Sequence, residues 1–465
     1  MRTVAIALGF LVVSGTASAA VLHVPTDYAT ISLAIASAQS GDEILVAAGT
    51  YQERISLDAT KDGVKIHSES GPAVTILDGG LAGAVVTMSS VGSGTELIGF
   101  TIKRGGTATG GGVRLSQASP KIENNVITGN FSYAGGGISA IGGSPLILDN
   151  EISGNQTLNG AGGGIYLSGG TPDIENNSIH GNSAAGKNRG GGIYSDGFAG
   201  IVRANQIFSN TSEEGGGMFM LDGKSSSIIR ENEFRSNTAT DYGGGVFLNT
   251  GGTFENNKII GNASGVEGGG LYLGNITLRG DLIQDNTSPM GGGVFMNLGS
   301  VVFDHVLILR NHSGTQGGGV SALGGTATFR NCTIALNSAN SGAGNVHFRS
   351  QSNLTLVNSI VAFSPNGGIV SDASVGAPGF AWITCSDVSN NAGGDYVGLP
   401  APPSDNRVIS LDPLFCDLAS LDLHLGSSSP CASPNGCLQM GALAVSCQAV
   451  ATELSTWGKL KARYR

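Results

Sequence analysis

The sequence predicts an all-β solenoid in which short parallel strands stack coil upon coil into a single β-helix. Glycine triplets recur at intervals of 23 to 28 residues, starting at residues 110, 135, 162, 190, 215, 243, 268, 291 and 317. Each triplet precedes a short apolar segment, and a second alternating segment ends at an asparagine. Such a period indicates units that stack only on their neighbours. The LxxLxLxxN signature of leucine-rich repeats, the main alternative, is absent.

A short amphipathic helix is predicted to precede the first strand and to cover the first coil. Thr30 can cap its start and Gly41 can end it. Four apolar residues share one helical face: Ile31, Ala34, Ile35 and Ala38. Covering the end of a solenoid protects unpaired backbone groups and the apolar core from aggregation.

The glycine triplets are predicted to mark sharp turns at the start of a strand. Glycine supplies 76 of 465 residues, about 16% against a usual share of roughly 7%. It permits positive φ and leaves room for the neighbouring coil, which stacks at about 4.8 Å. A bulkier residue would crowd the next layer.

The terminal asparagines are predicted to form a row at one corner of the coil. Stacked asparagines tolerate left-handed backbone angles and can hydrogen-bond amide to amide. The row contains Asn130, Asn155, Asn182, Asn210, Asn237, Asn262, Asn286, Asn311 and Asn337.

The chain ends indicate export and a covered C-terminus. Residues 1–19 have a positive start, an apolar run and Ala17-Ser18-Ala19 as a cleavage site, typical of a secretory signal peptide. We expect the β-helix with its N-terminal cap over residues 20–379. A cysteine-containing cap over residues 380–447 would cover the other end, and residues 448–465 would form a tail. The exported protein would be periplasmic, secreted or on the cell surface, without a transmembrane segment.

The six cysteines favour disulfides over zinc, because CxxC pairs with histidine companions are absent. All lie in the C-terminal third, and four fall within residues 416–447. Four cysteines allow three pairings, which the sequence leaves open. The formal charge of -10 and the lack of a Lys/Arg cluster argue against a nucleic-acid partner.

Two stretches resemble known families. GDEILVAAGTYQERI, from residue 41, is similar to the opening of right-handed β-helix proteins, including pectin methylesterases and the periplasmic carbohydrate-binding and sugar-hydrolase group. The triplet-led strands and FRSN at residue 234 resemble repeats of polymorphic outer-membrane proteins. The resemblance covers most of residues 22–375 and implies a right-handed, pectin-lyase-like fold.

An exterior row of aromatic residues is the candidate binding surface. The first and third residues after each triplet are apolar and should face inward, so the middle residue should point outward. Arg114, Ser139, Ser321 and His347 at this position agree with that direction. The predicted row contains Tyr166, Tyr194, Phe219, Phe247, Tyr272 and Phe295. Six exposed rings would form a large apolar patch suited to sugars or a partner protein. Alternatively, the ladder only stabilises the sheet or is covered.

Glu214, Asp241 and Glu267 precede consecutive triplets and are the candidate catalytic residues. On adjacent coils their carboxylates would lie about 5 Å apart, near the spacing of retaining glycosidases and suited to Ca²⁺. Solvated acidic loop residues are the alternative.

The sequence favours binding over catalysis. GTYQE at residues 49–53 resembles the first pectin methylesterase motif, but the later catalytic motifs have no match, nor do the signatures of polygalacturonases and mannuronan epimerases. We therefore expect a non-catalytic protein without a cofactor that binds polysaccharide or an envelope partner. The alternative is a polysaccharide lyase or glycoside hydrolase.

Overall fold

The structure is a computed structural model. It describes residues 18–447 except 108, 187, 350, 373–379 and 433–435. Most of the predicted signal peptide and the whole predicted tail lie outside this range. Within it, no helix is both long enough and apolar enough to cross a membrane.

Parallel strands stack into three long sheets, which confirms the predicted solenoid. Sheet 1 has 27 strands in two adjacent columns, because two long strands, Val246–Glu255 and Leu271–Arg279, belong to both. Its first column, after the triplets, contains Ile55–Leu57, Val86–Ser89, Val113–Ser116, Ile138–Ile141, Ile165–Ser168, Ile193–Asp196, Met218–Leu221, Val246–Glu255, Leu271–Arg279, Val294–Asn297, Val320–Leu323, Ala343–Arg349, Gly367–Asp372 and Tyr396–Val397. Its second column adds Val21–Val24, Glu43–Val46, Lys65–Ser68, Glu96–Ile98, Lys121–Glu123, Leu146–Leu148, Asp173–Glu175, Ile201–Arg203, Ile228–Arg230, Ser300–Asp304, Gly325–Arg330, Ser352–Val357 and Phe380–Thr384.

Two further sheets close each coil. Sheet 2 contains Gly49–Tyr51, Thr75–Asp78, Thr101–Lys103, Val126–Thr128, Glu151–Ser153, Ser178–His180, Gln206–Phe208, Glu233–Arg235, Lys258–Ile260, Leu282–Gln284, Leu307–Leu309, Thr333–Ala335, Ile360–Ala362 and Asp387–Ser389. Sheet 3 contains Gly106–Thr107, Phe131–Ala134, Gln156–Ala161, Ser183–Ala185, Thr211–Glu214, Thr238–Tyr242, Ala263–Ser264, Thr287–Met290, His312–Gln316 and Ser338–Ala339.

The interior is one continuous apolar core, because alternate side chains of every strand point inward. In sheet 1, Ile165, Ile193, Met218 and Val246 lie in register on successive coils and belong to this core. Burying a residue of this size contributes about 1.5–3 kcal/mol.

The glycine triplets turn the chain as predicted. The first glycine of each triplet has positive φ, as at Gly215 with φ 64°. The second is confined by its neighbours, since a Cβ on Gly216 would lie 2.4 Å from the carbonyl oxygen of Gly244. Glycine is therefore needed at the first position for its positive φ and at the second position because a side chain would clash with the next coil.

The predicted asparagine row is confirmed at the corner between sheets 2 and 3. For example, the Asn210 backbone N–H and Nδ2 both donate to Asn237 Oδ1, at 3.0 Å each. A second ladder, not predicted, runs at the corner between the second column of sheet 1 and sheet 2. It contains Asn125, Asn150, Asn177, Asn205, Asn232, Asn257 and finally Asp281. These polar groups are buried and need such partners.

The N-terminal helix spans Ile31–Ser37, and its predicted apolar face is buried. Thr30 Oγ1 accepts from Leu33 N at 3.2 Å, which confirms the N-cap. Two details differ from prediction. The helix ends at Ala38, because the cap is already extended there, and Gly41 lies beyond it. The first strand, Val21–Val24, precedes the helix.

The chain after the last solenoid strand, residues 398–447, is the C-terminal segment, and its described part packs beside the last coils on the outer face of sheet 2. Leu425, Cys431 and Met440 form a small core with Ile360 and Ala362, which point outward from their strand. A small sheet of Phe415–Asp417, Asp422–Gly426 and Val445–Cys447 belongs to this segment. The remaining short helices are Ala59–Lys61 and Ser404–Asn406.

One disulfide joins this segment to a coil of the solenoid, and a second lies within the segment. They join Cys385 to Cys437 and Cys416 to Cys447. Cys332 and Cys431 are buried free thiols. The four cysteines of residues 416–447 thus do not pair only among themselves, because Cys385 takes one of them.

Candidate functional site

The six aromatic residues lie in one row on the outer side of the first column of sheet 1. Backbone register aligns them in order on successive coils, from Tyr166 to Phe295. None of the six rings belongs to the interior core. Met218 and Met220, which flank Phe219 in the chain, do belong to it. The ring centroids of successive members are 5.2, 5.6, 4.6, 4.6 and 5.5 Å apart. We call these six residues the aromatic row.

The aromatic row does not form the exposed apolar patch expected from the sequence. The rings stack nearly parallel, with 4° between Tyr194 and Phe219 and 8° between Phe247 and Tyr272. Within the row, each ring face is therefore covered by the neighbouring ring. The exposed fraction is 9% for Tyr194 and 1% for Phe219 and Phe295, and the other three rings are half-buried. Edges and tyrosine hydroxyls, rather than ring faces, are available to a ligand.

A second column of side chains lies beside the aromatic row, at the residue immediately before each triplet. Parallel bridges link Arg189, Glu214, Tyr242, Glu267 and Met290 in that order. We call these five residues the wall column. The wall reaches the row at two points: the Arg189 guanidinium lies 4.8 Å from the Phe219 ring centroid, and the Tyr242 and Tyr272 centroids are 5.2 Å apart. Row and wall together form the aromatic groove.

A cavity of about 350 Å³ lies in this groove. It falls within the size range of ligand pockets. The Arg189 Nε and Glu214 Oε2 atoms, 2.7 Å apart, form an ion pair at its edge. Its lining residues are Gly160, Ala161, Asn188, Arg189, Tyr194, Glu213 and Glu214.

The three predicted carboxylates are not a set of adjacent, equivalent groups. Glu214 and Glu267 share the wall column, but Tyr242 stands between them. Asp241 precedes Tyr242 and lies outside the column, because its strand carries one more residue before the triplet. In the wall column the coil between Glu214 and Glu267 therefore contributes a tyrosine, and these two carboxylates lie two coils apart.

Comparison with known proteins identifies the family of the fold. A family model described as the right handed beta helix region matches residues 111–273 and 242–378, more than half of the chain. The chain belongs to the right-handed β-helix family. No curated protein matches it.

The electrostatics of this β-helix change along the groove. Burial raises the pKa of Tyr272, the hydrogen bond from Asn297 Nδ2 to its hydroxyl at 2.7 Å opposes the rise, and the charge of Glu267 adds to it. Burial also raises the pKa of Glu267, against a smaller opposing effect of Arg349.

The aromatic row continues at both ends into polar residues. Ser139 precedes Tyr166 in register, and Ser321 and His347 follow Phe295. All three are buried, and their side-chain polar atoms have no hydrogen-bond partner. Burial is the main cause that lowers the pKa of His347 to about 4. Arg114, the remaining predicted outward residue, is exposed.

Four groove residues were not predicted from the sequence: Asn188, Arg189, Tyr242 and Asn297. A consistent offset would have found the wall: the residue directly before each triplet gives Arg189, Glu214, Tyr242 and Glu267. Choosing acidic residues near each triplet led instead to Asp241, which stands one residue before Tyr242. No group of three or more His, Cys, Asp or Glu side chains in the described parts of the chain is arranged to hold a metal ion.

Proposed function

We propose that this protein is an exported or cell-surface β-helix that binds polysaccharide along the aromatic groove. The observation that carries the proposal is the cavity of about 350 Å³ beside Tyr194, in line with five further aromatic residues. Carbohydrate requires an apolar floor together with hydrogen-bonding groups at defined positions, as in other ligand sites. The groove combines ring edges with tyrosine hydroxyls, amides and carboxylates.

The mode of binding follows from the covered ring faces. Because each ring stacks on its neighbours, sugar rings would lie across the ring edges and would not stack on the faces. Carboxylates such as Glu214 would accept hydrogen bonds from sugar hydroxyls, and charge-assisted bonds are the stronger kind. Disulfides support export, since they persist in oxidising compartments.

Incubation with a panel of insoluble and soluble polysaccharides tests this function. We expect retention of the protein on at least one polysaccharide, without release of reducing ends or unsaturated products. Tyr194→Phe removes one hydroxyl from the cavity wall and should weaken binding about threefold to tenfold. Tyr133→Phe is the matched control, because Tyr133 is exposed on sheet 3 outside the cavity. Failure of the whole panel, or equal losses in both variants, would contradict the proposal.

A glycoside hydrolase is the second candidate, favoured by the raised pKa of Glu267. A general acid needs such a shift. Glu214 lies two coils away, roughly 9–10 Å along the axis, which is nearer the spacing of inverting than of retaining enzymes. New reducing ends that disappear in Glu267→Gln would establish this alternative and exclude simple binding.

A further inference from the structure

A second cavity, of about 330 Å³, lies at the N-terminal end of the solenoid and shares no lining residue with the cavity in the aromatic groove. In the first two coils the chain passes from sheet 2 to the first column of sheet 1 through residues 52–54 and 79–85, without a strand of sheet 3. Sheet 3 begins one coil later, at Gly106–Thr107. The cavity therefore occupies a corner that sheet 3 closes in the later coils. Its polar lining side chains are Gln52, Glu53, Arg54, Asp78 and Arg104.

Both carboxylates of this cavity already have partners within the protein. Glu53 accepts from the backbone N–H groups of Ile31 and Ser32 at 2.9 Å each, and from Ser32 Oγ at 2.6 Å. Asp78 is buried; its Oδ1 accepts from a backbone N–H of its own turn at 3.0 Å, and its Oδ2 pairs with Arg104 Nη1 at 3.1 Å. The acidic charge of the cavity is therefore compensated from inside.

The positive charge of Arg54 is not compensated. Its Nη1 donates to the carbonyl oxygen of Ala82 at 3.0 Å. Within the described part of the chain, Arg54 forms no ion pair and no other side-chain hydrogen bond. A guanidinium has five N–H donors, so most of those on Arg54 are available to a ligand.

The position of this guanidinium depends on a glycine. A Cβ on Gly83 would lie 2.4 Å from Arg54 Nη1. Gly83 is not among the glycines with positive φ, so its backbone conformation does not require glycine. The missing side chain instead leaves the space in which the guanidinium lies against the turn. This contact distinguishes Arg54 from a cation that extends freely into solvent.

The chemistry of the lining favours an anionic ligand. The planar guanidinium matches the geometry of carboxylate, sulfate and phosphate groups. Arg104 supplies a second guanidinium, and both arginines are exposed and thus accessible. A cation would meet an uncompensated like charge. An acyl chain would find no large apolar side chain among the lining residues. The volume falls within the range of ligand pockets, which leaves room for a polar body beside the anionic group.

We propose that this cavity is a second binding site, which takes a small polar ligand carrying an oxyanion. Arg54 is its principal donor, and Arg104 contributes further N–H groups. The site is separate from the aromatic groove and does not depend on polysaccharide binding there.

Four sugars test the assignment: glucose, glucuronate, and the sulfate and phosphate esters of glucose. Their affinities are measured by calorimetry on the full chain. We expect at least one anionic sugar to bind about tenfold more tightly than glucose. This preference should shrink in high salt, because screening weakens accessible ion pairs. The carboxylate, sulfate and phosphate forms distinguish the possible sources of the oxyanion.

Two variants test the role of the guanidinium. Arg54→Gln should remove the preference for the anionic sugar, a loss of about tenfold in its affinity. Gly83→Ala should weaken the same binding without a change of charge, because the new methyl group would displace the end of the flexible Arg54 side chain. Arg330→Gln is the matched control, since Arg330 is exposed, lies on a distant coil and has no ion pair in the described chain. Thermal unfolding without ligand shows whether each variant is folded.

The outcomes decide the inference independently of the proposed function. Equal binding of glucose and all three anionic sugars, or no binding of any of them, overturns it. A preference that survives Arg54→Gln, or an equal loss in Arg330→Gln, also overturns it. Retention on polysaccharide and its response to Tyr194→Phe are measured separately, so the groove is tested by a different result.

Discussion

At the residue scale, Asp281 is the exceptional member of the second asparagine ladder. Its Oδ1 accepts from the N–H of Asn257 at 2.7 Å and from Asn257 Nδ2 at 3.1 Å, as an asparagine would. In the preceding rung, Asn257 Nδ2 donates to the carbonyl oxygen of Ile229. Asp281 Oδ2 has no partner. Burial raises the pKa of this carboxyl well above its usual range.

Asp281→Asn is therefore expected to stabilise the protein. The amide would restore the donor that the ladder uses in every preceding coil. A buried unsatisfied polar atom costs about 1–3 kcal/mol, so the free energy of unfolding in urea should rise by about that amount at neutral pH. Asp405→Asn, at an exposed position, should change it little. A lower stability of Asp281→Asn would contradict the ladder argument.

The same variant should change the pH dependence. A raised folded-state pKa contributes stability that is present below the unfolded value, about 3.9, and is lost as pH rises toward the folded value. The free energy of unfolding of the wild type, measured in urea, should fall as the pH rises above about 4. The free energy of unfolding of Asp281→Asn should fall less over the same pH range.

The two asparagine ladders also show which features could be predicted from the sequence and which could not. The row beginning at Asn130 was predictable because its members end the repeat segments. The row beginning at Asn125 was missed because its members lie inside the repeat segments, and in Asn124-Asn125 a second asparagine stands directly beside the ladder residue. The structure assigns the two different roles: Asn124 has φ 52°, whereas Asn125 is buried in the ladder. Inward and outward neighbours cannot be separated by residue type alone.

At the element scale, the strand Met218–Leu221 combines an inward methionine pair with one outward ring. Alternation predicted this direction correctly. It could not predict that rings 4.6–5.6 Å apart would cover one another, because ring orientation depends on neighbouring coils. The wall column and the aromatic row belong to different sheets. The repeat pattern of the sequence could therefore not predict that they contact each other.

Phe219→Ala should destabilise the protein although Phe219 lies outside the core. The ring is 1% exposed and stacks between Tyr194 and Phe247. Loss of a buried Phe costs about 3–5 kcal/mol, measured as the free energy of unfolding. Phe380→Ala is the control, since Phe380 is 61% exposed on the same sheet; it should cost less than about 0.5 kcal/mol. Equal effects would mean that the stack contributes little.

At the scale of the whole molecule, the C-terminal segment is attached to the last coils through a buried acid. Asp387 Oδ1 accepts from Leu411 N at 3.1 Å, and Oδ2 accepts from Ser389 Oγ at 3.1 Å and from Cys431 Sγ at 3.5 Å. Burial raises the pKa of Asp387 to about 7.

Attachment of this segment should weaken as pH rises. Because the folded pKa is raised, the contribution of Asp387 is fully present below about pH 4 and is lost through about pH 7. Alkylation of Cys431, relative to that of Cys332 in the main core, should therefore accelerate between about pH 6 and pH 8. Asp387→Asn should remove that relative acceleration. An unchanged ratio in the wild type would contradict the expectation.

The asparagine and aromatic ladders bond each coil only to the coil before and the coil after it. Gain or loss of one whole repeat would therefore change the length of the sheets and ladders by one coil and leave the distant coils unaltered.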